Sequence, residues 1–215
     1  TTGTSTPQTI GDGTGDAIEA EDADNTTLTI TNTGASAANT LNVAGDIQRN
    51  AGGGDLNLVL TANGNDQNVA VDGGLNLGTG TLTVDGTATE TSSLAVTENI
   101  QSGAITLDES SGGGATASLT LNGNTAQTVF SAVQGDTPGK GTVVVDNTAG
   151  VDFLNTVGGT ELGTLDVDSG DASFSQDATI SSVNIGGGAN DASVTAADDL
   201  TTADITLDES GDGSA

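Results

Sequence analysis

Acidic side chains are the residues of this sequence best suited to chemistry. Asp166 and Asp168 lie two positions apart, with Asp171 close behind. In a strand the first two carboxylates would share one face, about 7 Å apart. Carboxylate oxygens are ligands that calcium prefers, so a neighbouring strand could complete a calcium site there. The alternative interpretation is a solvated acidic face.

Two glycine-rich runs add further candidate ligands. Asp12 and Asp16 enclose a Gly-Thr-Gly segment, and Asp191 follows the Gly-rich residues 186–190. Each run partly resembles the Gly- and Asp-rich nonapeptide of calcium-binding β-rolls. Those motifs act in tandem, whereas these are single and incomplete, so the same residues could simply form turns. Calcium is the one cofactor that the sequence suggests.

Other kinds of reactive site lack their residues. The chain has no His, Cys, Trp or Tyr, which argues against zinc, copper, haem and thiolate sites. Paired carboxylates could hydrolyse a glycoside, but a sugar cleft usually offers aromatic platforms. A lyase would need basic groups, and only Arg49 and Lys140 are available. We therefore predict that the protein is not an enzyme.

The charge balance restricts the partners. The chain has 30 acidic and 2 basic residues, which gives a net charge of −28. Such a chain does not bind nucleic acid, whose phosphates need clustered Lys and Arg. It is also repelled by anionic membrane surfaces, and no apolar run is long enough to insert into a membrane. A saline or calcium-containing exterior would relieve the self-repulsion. Because the sequence opens on Thr1, we expect a removed signal peptide or an excised piece of something longer.

Short alternating segments predict β-strands. Thr27–Thr31 and Thr81–Val84 alternate apolar residues with Thr, which is the period of a strand. Glycine clusters separate such segments, and glycine accounts for 33 of 215 residues. The low hydrophobic content, 33%, together with the charge would also fit a disordered chain. The regular alternation favours folded strands.

Two interleaved apolar series indicate a coil of strands. The first consists of apolar-rich triplets that start at Val143, Leu165, Val183 and Ile205. The second runs between them, at Phe130, Phe153, Phe174 and Val194. A shared period of about 21 residues is typical of a solenoid, in which each turn stacks on the one before.

The predicted fold is therefore all-β, a parallel β-helix (β-solenoid) of about ten rungs of roughly 20 residues. We expect a single solenoid domain over 27–215, preceded by an N-terminal segment, 1–26, that forms a loop or a docking strand. Within it, Asp16–Asp24 has one large apolar residue, Ile18, and is predicted to be a loop. Uneven strand spacing predicts irregular or mixed sheet packing near the N-terminus.

A longer repeat points to the ends of the stack. Residues 105–110 (ITLDES) recur as 205–210, and residues 6–10 resemble 125–129. Read cyclically, the sequence continues into itself. Without an amphipathic cap at either end, the chain is either part of a longer array or stacks end to end with its own copies. The predicted assembly residues are Ile205, Leu207 and Asp208 at one end and Thr9 and Ile10 at the other.

Recurring Thr-Leu-x-Val units, at 81–86 and 164–170 and within 124–174, resemble large repetitive bacterial surface proteins. These include autotransporter passenger domains, haemagglutinin-like adhesins and S-layer-like β-strand-repeat proteins. The resemblance covers most of 27–210. It implies an exported, right-handed parallel β-helix that acts at the cell surface as a stalk, coat, fibre or adhesin.

The sequence thus predicts a structural extracellular protein whose main partner is itself. The alternative is a segment of an adhesin that binds a glycan or a host surface. An ice-binding solenoid is a further alternative, because such proteins present rows of Thr. The Thr pairs here do not recur in each rung, since Asp166, Asp168 and Asn184 occupy the matching positions.

Overall fold

The computed structural model describes residues 8–12, 15–20, 24–32, 39–62, 64, 66–87, 89–109, 114–186 and 190–208. Every regular element within these residues is a β-strand. The described part of the chain contains no helix long and apolar enough to cross a membrane.

The strands in chain order are β1 (Gln8–Ile10), β2 (Asp16–Ala20), β3 (Thr26–Asn32), β4 (Asn39–Val43), β5 (Asp46–Arg49), β6 (Leu56–Ala62), β7 (Gln67–Val71), β8 (Leu75–Asn76), β9 (Thr81–Asp85), β10 (Thr91–Val96), β11 (Ile100–Gln101), β12 (Ala104–Asp108), β13 (Thr116–Leu121), β14 (Gln127–Val129), β15 (Ala132–Gly135), β16 (Lys140–Asp146), β17 (Val151–Phe153), β18 (Val157–Phe174), β19 (Ala178–Gly186), β20 (Ala192–Ala196) and β21 (Leu200–Asp208).

These strands form a parallel β-solenoid with three faces. Face 1 stacks β1, β4, β7, β10, β13, β16, the middle of β18, the main part of β19 and β21. Face 2 stacks β2, β5, β8, β11, β14, β17, the end of β18 and β20. Face 3 stacks β3, β6, β9, β12 and β15, then the first residues of β18, β19 and β21. The predicted fold class is confirmed.

The predicted count of about ten rungs is slightly too high, because the N-terminal turns are longer than the predicted length of roughly 20 residues. At three strands a turn the chain makes about seven turns, and since β18, β19 and β21 bend from one face to the next, the longest ladder has nine levels. That ladder on face 1 is Ile10, Val43, Val71, Val96, Leu121, Val145, Val167, Ile185 and Leu207. The widest sequence separation between neighbours in this ladder is from Ile10 to Val43, and the narrowest is from Val167 to Ile185. The expected period of about 21 therefore holds only in the C-terminal turns.

Alternation along each strand builds the core. In β6 and β7 buried and half-buried residues alternate strictly, so that the apolar side chains of these strands point mainly inward. Stacking repeats this on every level, and the first predicted series is confirmed: Val143, Leu165, Val183 and Ile205 pair in register. Burial of these aliphatic ladders is the main stabilising term of the fold.

The second predicted series is only half correct. Phe153 and Phe174 pair in register and are buried. Val129, rather than Phe130, precedes Phe153 in that ladder, and Phe130 is 47% exposed. At the other end Val194 pairs with Ala172. The error at Phe130 is one position of register, which turns a side chain from the core to the solvent. The error at Val194 is two positions, so Val194 still packs against the core, like Ala196, which pairs with Phe174.

The N-terminal segment contributes strands to the same stack. Asp16–Ala20 is strand β2 and not the predicted loop, since Ile18 pairs with Ile47 of β5 and lies half-buried against the core. The packing is irregular, with a register shift between Asp16 and Ile18. It is not mixed, because every pairing between described strands is parallel. One large apolar residue is enough for a strand whose neighbour supplies the backbone partners.

The hundred-residue sequence repeat is not a structural repeat. Ile105 lies in β12 on face 3, whereas Ile205 lies in β21 on face 1. Likewise Gln127 lies in β14 on face 2 and Gln8 in β1 on face 1. Because the turns differ in length, the two copies of each repeated segment fall on different faces. The cyclic continuation predicted from this repeat therefore has no counterpart in the strand order.

Candidate assembly interface and acidic clusters

Strand β21 leaves one edge open at the C-terminal end of the described stack. It pairs with β19 on one side, and no described strand pairs with its other side. Ile205 and Leu207 are 57% and 62% exposed, although they continue ladders whose members Val183 and Val167 are buried. Both side chains thus lie over the end of the core, where one more level would cover them.

Strand β1 is the matching element at the other end. It pairs with β4 only, among the described strands. Ile10 is 39% exposed and lies in register with the buried Val43, while its neighbour Thr9 faces solvent. Ile10 and Leu207 are the first and last described members of the same ladder.

The two open edges are geometrically complementary. All strands of face 1 run in parallel, so the edge of β21 presents the backbone donors and acceptors that β19 presents to β21 itself. The open edge of β1 presents the backbone donors and acceptors that β4 presents to β1, and these complement the groups on the open edge of β21. An unpaired edge of this kind is a template for another strand of the same direction.

Both ends are acidic. Asp198 and Asp199 are exposed just before β21, Asp204 is exposed within it, and Asp208 ends that strand. Asp12, Glu19 and Asp24 are exposed in the first turn. These charges repel any approach of the two ends at low ionic strength, and salt or a bound cation weakens the repulsion.

One group of carboxylates at this end was not predicted. The side-chain oxygens of Asp177, Asp198 and Asp199 lie within 4.8 Å of one another, all three exposed. Asp177 precedes β19 and Asp199 precedes β21, so that the group spans two levels of one corner. The corresponding signal in the sequence is that Asp177 comes one solenoid turn before the adjacent pair Asp198 and Asp199. Exposed acidic groups of this type are common without a metal ion.

The structure keeps the predicted pair Asp166 and Asp168 together. Both lie in β18 on either side of the buried Val167, half-buried on the outer side of face 1. Burial, and then the charge of Asp168, raises the pKa of Asp166. Burial and the charge of Asp146 raise the pKa of Asp168. A cation beside these carboxylates would favour their ionised forms and reverse that shift.

The other predicted ligands lie elsewhere. Asp171 is exposed on face 2 and accepts a hydrogen bond from the Ser193 hydroxyl. Asp191 lies on the next level, where its backbone oxygen accepts a 2.8 Å bond from the Gly170 N–H. Asp12 follows β1, and Asp16 begins β2. Residues 13–14 and 187–189 of the two glycine-rich runs lie outside the described residues. The six candidates thus occupy three separate places.

A further group of carboxylates, stacked on successive levels of face 3, was also not predicted from the sequence. Asp85 and Asp108 end β9 and β12 and pair in register. Asp136 follows β15 on the next level, where its N–H donates to the Leu107 oxygen at 3.1 Å. Burial, and then the charge of Asp108, raises the pKa of Asp85. Each of these residues follows an inward-facing apolar residue or a glycine, a pattern too common to identify a ladder before the register is known.

No protein-family model, no curated protein and no solved structure matches this chain. The resemblance to bacterial surface proteins therefore stays a prediction.

Proposed function

We propose that the chain is a structural subunit that stacks head to tail, through β21 of one copy and β1 of the next, into an extracellular filament, fibre or surface layer. The observation that carries the proposal is the exposure of Leu207 and Ile10 at opposite ends of one otherwise largely buried ladder. In the stacked form Leu207 would face Ile10 of the following copy as Ile185 faces Leu207.

The apolar gain favours this contact. Full burial of a Leu or Ile side chain is worth about 1.5–3 kcal/mol, and Ile205, Leu207 and Ile10 each have a substantial part of that still to gain. Backbone hydrogen bonds along the length of β21 would add direction and register.

The symmetry of the contact predicts an open polymer. The two surfaces are different patches of the same chain, so the contact is heterologous, and a translation along the solenoid axis does not close into a ring. Acidic side chains along the rod would limit lateral association until cations screen them. The acidic surface and the resemblance to surface proteins support an extracellular location.

Substitutions at the two ends test the proposal. Leu207→Lys and Ile10→Lys place a charge over the apolar end of each ladder. Thr206→Lys is the matched control, because Thr206 lies between Ile205 and Leu207 and is in register with Asn184 on the outer side. Light scattering after gel filtration and negative-stain microscopy should show polymers for the wild type and for Thr206→Lys, and loss of polymers for the two end variants.

Mixing the two end variants distinguishes the mode of contact. Each variant keeps one intact end, so an equimolar mixture should form heterodimers and no longer species. Homodimers of either variant alone would indicate contact between like ends and would contradict the head-to-tail proposal. A monodisperse wild-type monomer at all protein, NaCl and CaCl2 concentrations would favour the alternative, a segment of an adhesin.

A further inference from the structure

Phe130 is the one phenylalanine of the chain that faces solvent. Phe153 and Phe174 are buried, while Phe130 is 47% exposed. On the next level of face 2 Leu154 is 42% exposed, and its N–H donates to the Val129 oxygen at 3.0 Å. Phe130 and Leu154 directly follow the paired residues Val129 and Phe153, so they form a small apolar step on the outside of the solenoid.

A row of amide side chains leads up to this step. Gln48, Asn76 and Gln101 pair in register on three successive levels of face 2, on its outer side. Ile100 pairs with Val129, so Phe130 follows Gln101 at the next level. Asn76 accepts a long bond of 3.4 Å from the Gly78 N–H. The side chains of Gln48 and Gln101 make no hydrogen bond to any residue that the structure describes.

The row and the ring line one depression of about 260 Å³. Asp46 and Glu98 stand at its side. The Asp46 carboxylate is fixed by a 2.7 Å hydrogen bond from the Gly74 N–H. The depression therefore combines one half-buried and two exposed amide side chains, two carboxylates and the face or edge of one aromatic ring. It is open to solvent, so a ligand would lie along the surface of face 2.

We propose that this depression binds a neutral oligosaccharide. Sugar hydroxyls both donate and accept hydrogen bonds, as the amides do, and the C–H face of a pyranose packs on an aromatic ring. Asp46 and Glu98 accept bonds from hydroxyls and, with the net charge of −28, repel anionic ligands. Levels of a sheet repeat every ~4.8 Å, close to the length of one pyranose unit in an extended chain. Consecutive sugars can therefore meet consecutive levels.

This site is independent of end-to-end stacking, because face 2 lies along the side of the rod. A polymer would repeat the site once per subunit and gain avidity for a polysaccharide. The composition argues against sugar sites because the chain lacks Trp and Tyr, and the sequence spacing places Phe130 in the core. Because Phe130 is exposed, its ring can make the aromatic contact with a sugar that Trp or Tyr makes in other proteins.

The test uses five neutral hexasaccharides as probes, namely β-1,4-glucan, β-1,3-glucan, α-1,4-glucan, β-1,4-mannan and β-1,4-linked N-acetylglucosamine, with hexagalacturonate as the anionic comparison. Titration of the Leu207→Lys variant, which is expected to stay monomeric and keeps face 2 intact, followed by ¹⁵N NMR should show saturable shifts of the Gln48 and Gln101 side-chain amides for at least one neutral probe. Phe130→Ala should weaken binding about tenfold. Gln101→Ala should weaken it as well, and Thr83→Ala on face 3 should leave it unchanged.

Several results would overturn the proposal. One is the absence of shifts with all five neutral probes up to about 10 mM, above the dissociation constants of weak sites. Another is binding that Phe130→Ala and Gln101→Ala do not affect. Equal binding of hexagalacturonate would remove the neutral specificity. A change of oligomeric state in Phe130→Ala without loss of sugar binding would make the step a lateral contact between copies. Circular dichroism checks that each variant keeps its fold.

Discussion

The rings of Phe153 and Phe174 stack on successive levels of face 2, with centroids 5.0 Å apart and planes inclined by 15°. They are the two largest fully buried side chains of the described structure. In a core otherwise made of Val, Leu, Ile and Ala, this pair fills a space that several aliphatic side chains would be needed to fill.

Phe153→Ala should therefore lower the free energy of unfolding by about 3–5 kcal/mol, because it removes a large buried side chain and leaves a cavity against Phe174. Phe130→Ala removes the same atoms from a position that is only about half buried, and should lower the free energy of unfolding by about 1 kcal/mol. Urea unfolding followed by circular dichroism measures both. Equal losses in the two variants would contradict the assignment of Phe130 to the outer side.

Gln127 anchors a buried polar network between faces 1 and 2. Its Nε2 donates to the oxygens of Val96 and Glu98 at 3.0 and 2.8 Å. Its Oε1 accepts from the Gly123 N–H at 3.0 Å and from Asn147 Nδ2 at 2.7 Å. All the hydrogen-bonding capacity of one amide is thus used inside the solenoid.

Gln127→Leu should lower the free energy of unfolding by about 2–4 kcal/mol, since each buried partner left unpaired costs about 1–3 kcal/mol. Gln134→Leu is the control, because Gln134 lies half-buried on the outer side of β15. Chemical denaturation of the two variants gives the comparison. A Gln127→Leu protein as stable as the wild type would mean that these bonds contribute nothing net.

Gly158 and Gly159 are neighbours with opposite tolerance for a side chain. Gly158 has φ +81°, and a Cβ there would lie 1.9 Å from the Thr179 oxygen. At Gly159 a Cβ would meet only the end of the Gln134 side chain, at 3.3 Å. Gly158→Ala should destabilise by more than about 1 kcal/mol, because both the left-handed backbone and the collision oppose it. Gly159→Ala should be close to neutral by the same measurement of thermal unfolding.

Asp166→Asn and Asp168→Asn should raise the melting temperature at pH 7. Folding raises the pKa of both carboxyls, so it favours their protonated forms. Their contribution to stability is fully present below the ordinary Asp range, about pH 4, and is lost as the pH rises through the raised folded-state pKa. The advantage of each Asn variant over the wild type should therefore shrink on acidification from pH 7 to 4. Calorimetry across this range would contradict the argument if the advantage stayed constant.

Asp55 provides a control of opposite sign. Hydrogen bonds from the hydroxyl and the N–H of Thr79 hold the pKa of Asp55 below its usual value. Its contribution is present at neutral pH and is lost as the pH falls through the folded-state pKa. Asp55→Asn should therefore lower the melting temperature at pH 7, with a deficit that closes toward low pH.

Salt should stabilise the protein, because carboxylates stack on one another at several corners. In 0.1 M salt the Debye length falls to about 10 Å, which screens exposed charges on separate levels. We expect the melting temperature to rise with NaCl, and to rise further with CaCl2 at equal ionic strength. Asp198→Asn combined with Asp199→Asn should reduce that calcium excess. If the two salts had identical effects at matched ionic strength, screening would explain the whole effect, and the result would count against a calcium site.

The site residues show where sequence reasoning succeeded. Asp166 and Asp168 share one side of a strand because the side-chain period of a strand is two, and no tertiary information is needed for that. The sequence assigns Ile10 and Leu207 to opposite ends through a repeat that has no structural counterpart. They do lie at opposite ends of the described stack, but the pairing register, rather than the repeat, places them in one ladder.

The residues that the sequence did not reveal share one physical cause. Asp177 lies close to Asp198 and Asp199 only because successive levels stack. The same stacking places Gln101 beside Phe130. Such contacts depend on the length of every preceding turn, and the turns are longer at the N-terminal end of the face 1 ladder than at its C-terminal end. A period read from the C-terminal turns could not be extended to the rest.

The sequence by itself determined an all-β solenoid with a thin aliphatic core and an acidic exterior, because period-two alternation at a repeating spacing favours stacked strands over disorder and the chain has few large side chains to bury. The tertiary structure alone decided which residue stacks on which. A shift of one position turns a side chain from the core to the solvent. That shift separates Val129, buried beside Phe153 on the neighbouring level, from Phe130, which stands exposed beside the amide row.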